Sequence, residues 1–136
     1  MAISTAADAG VAVVQTAFEA FGRGDLEAFA AKFHDDATWD HRNEDRFGGV
    51  HAGRDAIVAF IAESGQLTRG TLRAAPEAIL SDAQGRVAVV VRLTGSRRDG
   101  RSLDSTQVLL FAVDGDRMRS VDQFIGDPAA VTAFWA

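Results

Sequence analysis

Histidine is the side chain that changes charge near neutral pH, so His34, His41 and His51 are the first residues to ask about proton transfer. The chain has no Cys and no Tyr. That removes thiolate nucleophiles, disulfides, thiolate metal sites and phenolic donors. His41 closes the segment Ala37-Thr38-Trp39-Asp40-His41, whose alternating chemical character reads as a short strand. Trp39 lies two residues earlier and so shares its face. A proton-transfer group would then stand beside a ring able to stack on a flat ligand. The competing reading gives His41 only a structural hydrogen bond, to Gln123 or to water. His34 reads as a solvated helix end, and His51 as a loop anchor. The three have no metal-ligand spacing such as HExxH, so no metal and no cofactor is expected.

Other charged or Gly-rich clusters carry less. Arg97, Arg98 and Arg101 flank Asp99-Gly100 and read as a solvated hairpin tip. Arg92 interrupts an apolar strand on the face opposite Val91; it either pairs with a carboxylate across a dimer sheet or faces water. Neither Gly22-Arg23-Gly24 nor Gly48-Gly49 has the spacing of a phosphate loop.

These residues need elements to hold them. Val11, Val14, Phe18 and Phe21 recur at helical spacing, which predicts a helix over Ala7 to Phe21. Asp25 is placed to cap a second short helix carrying Leu26, Phe29 and Phe33. Arg42 to Gly49 reads as a loop. Gly53 opens a third helix with Ile57, Phe60 and Ile61 inward, ending near Ser64-Gly65. Four strands follow: Thr71 to Leu80, Arg86 to Thr94, Ser105 to Val113 and Met118 to Ile125. Asp99-Gly100 and Asp114-Gly115 supply the turns between the later ones. Asp127-Pro128 reads as a cap and first-turn Pro for a last helical turn with Phe134 and Trp135. Helices early and an antiparallel meander late predict an α+β domain, its helices on one face of a curved sheet.

Composition agrees. A chain of 136 residues that is 47% hydrophobic has the size and apolar content of one domain with a single core, spanning residues 1–136. The net charge of −5 speaks against nucleic acid, which requires a cationic field. Met1 to Val14 has no basic lead and carries Asp8, so neither a signal peptide nor a membrane span is expected, and a cytoplasmic location is the default.

The order of these elements, and several stretches within them, resemble the SnoaL-like and ketosteroid-isomerase-like proteins of the nuclear transport factor 2-like superfamily. FEAFGRGDLEAFAAKFHDDATW (Phe18–Trp39) is similar to the opening of that family, GGVHAGRDAIVAFI (Gly48–Ile61) to its entry into the third helix, and VLLFAVDGDRM (Val108–Met118) to its last hairpin. The closing FWA recurs in relatives. The resemblance implies a cone: a strongly bent, mostly antiparallel sheet wrapped around the N-terminal helices, with a cavity used for apolar small molecules. It also implies a homodimer formed through the sheet. The activities it suggests are those of cofactor-independent isomerases, cyclases and lyases, with non-catalytic binding of an apolar ligand as the alternative.

Residue by residue, the resemblance is selective. The position matching the isomerase base is His41. The position matching its Tyr lies near Ala17, and that matching its protonated Asp near Leu109, so the oxyanion pair is missing. The position matching the cyclase base is Gln123, with Asp122 beside it, and a one-residue slip would exchange which of them faces inward. The resemblance therefore assigns proton transfer to His41 with Asp122 as substitute base. Trp39, Gln123, Phe18, Phe60, Leu109 and Val121 are assigned to the ligand-binding wall.

Overall fold

The computed structural model describes residues 5–136, with side chains from Ala9 onward. Of the stretch Met1 to Val14, the first four residues lie outside it. The elements are α1 (Thr5–Gly22), α2 (Leu26–Ala30), β1 (Phe33–His41), β2 (Gly49–Ala52), α3 (Arg54–Leu67), β3 (Arg73–Ser81), β4 (Arg86–Ser96), β5 (Ser102–Asp114), β6 (Arg117–Ile125) and α4 (Pro128–Trp135).

Helices α2 and α4 start where a side chain caps them. The Asp25 carboxylate accepts from Ala28 N and caps α2, and Asp127 accepts from Ala130 N ahead of Pro128. Gly53 opens α3 at φ 94°, a conformation that suits glycine, while its N–H bonds Ala37 O of β1 at 2.7 Å. The expected end of α3 at Ser64-Gly65 is corrected. Helical bonding continues to Leu67, and the chain leaves through Arg69 and Gly70, both at positive φ.

The six strands form one sheet in the order β2-β1-β6-β5-β4-β3. Only β1 and β6 run parallel; every other neighbour is antiparallel. β2 was expected to be loop. It pairs with β1 through Trp39↔His51 and His41↔Gly49, and so walls the side of the sheet where His41 sits. In β4, Val87, Val89 and Val91 point inward and are almost fully buried, while Arg92 points out. Helices α1, α3 and α4 cover this inner face, and the sheet bends around them as a cone. The result is the expected α+β fold. Val14, Ala17 and Ala20 of α1 meet Phe33, Val89 and Phe111 in one continuous core.

Candidate functional site

Between the helices and the inner face of the sheet lies a cavity of about 70 Å³. Its apolar wall comes from every layer: Phe21, Phe29, Phe60, Leu93, Leu109 and Trp135. Rings dominate it. Phe60 of α3 meets Trp39 at 5.7 Å and His41 at 5.6 Å edge-on, and stacks on His51 at 4.4 Å. Such a volume is about half the ~150 Å³ of a dry cavity that takes one benzene ring, so a ring fits only where the wall gives way. A shallower groove beside it, lined in part by Arg23 and Arg73, shares Phe21, Ile61 and Leu72 with the cavity. Movement of those three side chains would join the two spaces and admit something longer.

One side of the cavity is polar. Trp39 Nε1 lies 2.8 Å from Gln123 Oε1, and His41 Nδ1 lies 2.8 Å from the same oxygen. An indole N–H only donates, so the Gln123 atom it faces is the amide oxygen, and His41 Nδ1 must also carry a hydrogen. Gln123 Nε2 then donates to Gln107 Oε1 at 2.7 Å, which fixes that amide as well and turns Gln107 Nε2 toward Ser105 Oγ at 3.3 Å. At the other end, His41 Nε2 faces Asp45 Oδ2 at 2.8 Å. Both side chains are buried, 2% and 1% exposed. Asp45 further accepts from Asn43 Nδ2 at 2.7 Å and from Phe47 N at 2.8 Å. Burial alone would raise the Asp45 carboxyl, but the bonds from His41, Asn43 and Phe47 hold it below the ordinary carboxylate range. An unbroken hydrogen-bonded chain thus runs Asp45, His41, Gln123, Gln107, Ser105.

The expected site residues separate on this geometry. His41, Trp39, Gln123, Phe60 and Leu109 all line the cavity. Asp122 does not, and its assignment as substitute base is corrected. It lies on the outer face, bonded by Arg42 Nη2 at 2.8 Å. The reason is a bulge. β6 loses register between Met118 and Ser120, so Val121 and Gln123 point inward where a two-residue count from Met118 would put Asp122. Phe18 and Val121 are also corrected: Phe18 packs edge-on against Phe111 at 6.0 Å, and Val121 is core. His34 bonds Asp114 O at 3.0 Å and His51 bonds Phe47 O at 2.7 Å, both away from ligand roles.

Asp45, Phe47 and Gln107 join the site in the structure without a strong signal in the sequence. Gln107 was open to discovery, because it precedes Leu109 by two on the same strand and so shares its face. Asp45 had a weaker signal, its four-residue spacing from His41 across a loop.

A SnoaL-like domain model matches residues 14–121, most of the chain. The chain belongs to the SnoaL-like family. The uncharacterized protein Rv0034 of Mycobacterium tuberculosis is 35% identical over 129 residues, covering 95% of this chain and 98% of that protein. Among solved structures, Bal32a from a soil-derived mobile gene cassette superposes with a TM-score of 0.93 at 29% identity, covering 97% of this chain and all of that one. TerC, co-crystallized with polyporic acid, superposes at 0.81 with 19% identity, covering 93% of this chain and 97% of TerC. This last likeness is one of fold.

No helix among the described residues is long and apolar enough to cross a membrane.

Proposed function

We propose that this protein binds a small, mainly apolar ligand in the cone, with one polar end of the ligand at Trp39, His41, Gln107 and Gln123. One observation carries the reading. Among the described residues His41 is the sole ionisable side chain in the cavity wall, and both its ring nitrogens are already bonded, to Gln123 and to Asp45. A base needs a free lone pair aimed at substrate, and His41 offers none in this arrangement. An apolar wall with a few fixed polar groups is what ligand pockets generally present. The polyporic acid bound by TerC supports a ring-bearing ligand on this fold. Polyketide- or steroid-sized molecules fit the same reading if Phe21, Ile61 and Leu72 move toward the adjoining groove.

The test is thermal unfolding against a panel of single-ring, polyketide, terpene and steroid compounds. A ligand specific to the native state adds ~2.7 kcal/mol at a hundredfold excess over Kd. The expected result is a rise in Tm for one chemical class, with the ligand recovered unchanged. No rise across the panel would refute the reading.

The buried His41–Asp45 contact supports a second reading, a cofactor-independent isomerase, cyclase or lyase. A carboxylate that orients a histidine is a common part of proton-transfer sites. Here Gln123 would swing off Nδ1 to let a substrate reach it. Turnover that survives His41→Ala at the parent rate would exclude this mechanism.

A further inference from the structure

We propose that the polar end of the cavity selects an uncharged hydrogen-bond acceptor, a ketone or quinone carbonyl, with Gln123 and Gln107 as the specificity-determining residues and Trp39 and His41 as the residues that position them. The proposal rests on the ligand-binding reading and names the class of ligand.

The argument is a count of hydrogens and lone pairs. Gln123 Oε1 accepts from Trp39 Nε1 and from His41 Nδ1, which uses both of its lone pairs. A ligand donor has nothing to bond there. Each amide nitrogen carries two hydrogens. Gln123 Nε2 uses one on Gln107 Oε1, and Gln107 Nε2 uses one on Ser105 Oγ. The second hydrogen of each has no acceptor among the described residues. Both amides are buried, 6% and 2% exposed, and both line the cavity. Within the amide pair, two free N–H groups therefore stand against one remaining lone pair, on Gln107 Oε1, while the Ser64 hydroxyl on α3 spends its hydrogen on Ile61 O at 2.7 Å. The amides cannot invert to change this, because Trp39 N–H would then meet an NH2 group. The two bonds into Oε1 also polarise the Gln123 amide and strengthen its N–H as a donor. A carboxylate fares worse than a carbonyl. It would give up its water with no free cationic N–H in the wall to replace it, since the His41 hydrogens are already taken by Gln123 and Asp45.

Three probes of one ring and similar shape decide it: ethylbenzene, acetophenone and benzoate, titrated calorimetrically into the protein. Acetophenone is expected to bind about fivefold more tightly than ethylbenzene, the value of a net hydrogen bond, although water alone would drive ethylbenzene harder into an apolar space. Benzoate is expected to bind more weakly than either. In the complex, the acetophenone C=O stretch should fall below its position in hexane. Gln123→Glu keeps an oxygen for Trp39 and His41 but has no N–H. Only the free N–H of Gln107 then remains, so the advantage of acetophenone over ethylbenzene, read as their affinity ratio within the same variant, should shrink. If ethylbenzene binds as tightly as acetophenone, or the C=O stretch stays at its hexane position in the parent protein, the donor assignment is wrong while the pocket stands. If none of the three binds, the ligand-binding reading fails and takes this proposal with it.

Discussion

Asp45 is the residue on which the polar side of the cavity turns. Its carboxylate collects N–H groups from His41, Asn43 and the Phe47 backbone, and its side chain is 1% exposed. Asp45→Asn keeps the shape but replaces one acceptor oxygen with a donor, so at least one N–H loses its partner. Urea unfolding at neutral pH should show a loss of about 2–4 kcal/mol. The pH dependence has a definite sign. The folded carboxyl sits below its unfolded value of 3.8. Its contribution is therefore complete above that value and is lost as pH falls through the lower, folded one. The gap between parent and variant should narrow from about pH 5 to pH 3; a constant gap would show that ionisation of Asp45 is not what stabilises the site. Asp122→Asn, by contrast, should leave ligand binding unchanged, because its carboxylate meets Arg42 on the outer face. At this scale the sequence was half legible. Strand alternation placed Trp39 and His41 together correctly. It could not choose between Asp122 and Gln123, because the bulge that decides parity in β6 is a product of pairing with β5.

The closing helix shows the same division between local and distant causes. Asp127 and Pro128 announce the start of α4 in sequence, and the structure caps it there. Its end is held by side chains from elsewhere. Arg97 Nη1 donates to Phe134 O at 3.0 Å and to Ala136 O at 2.8 Å, Arg101 Nη1 donates to Ala133 O at 2.9 Å, and Arg46 Nε donates to Trp135 O at 2.9 Å. The hairpin tip read as solvated is instead a clasp on the carbonyls that a helix C-terminus leaves unpaired. Asp99, its carboxyl lowered to about 2 by the bonds from Arg101, holds that guanidinium in place. β2 was missed for a related reason: four residues beginning with Gly49 carry no strand pattern of their own and are recruited by β1. Trp135 lines the cavity, so the clasp controls one of its walls. The double change Arg97→Ala and Arg101→Ala should speed amide exchange across α4 while β4 and β5 keep their protection. Unchanged exchange in α4 would mean that burial of Val131, Phe134 and Trp135 holds the helix without the arginines.

For the molecule as a whole, assembly turns on the outer face of the sheet. Helices cover the inner face, and the outer one carries Phe124 at 44% exposure beside Val108, with Val90 next across the sheet. Ion pairs frame this apolar row. Arg42 bonds Asp122 and sits 5.1 Å over the Phe124 ring on one side, and Arg92 bonds Asp104 at 2.8 Å on the other. An apolar centre with a charged rim is the composition of an interface, and a two-fold axis would set each Phe124 against its counterpart's sheet. We propose that copies of the chain pair through this face, leaving the cavity mouths free. A stable pair needs roughly 800 Å² from each partner. Phe124→Arg puts a new charge on each side of the axis, where the two copies repel. In sedimentation velocity the parent should run as a dimer of the 14.4 kDa chain and the variant as a monomer, with ligand binding intact in both. A parent that sediments as a monomer at every concentration would leave the outer face to some other use. A dimer that survives Phe124→Arg would place the contact elsewhere on the surface.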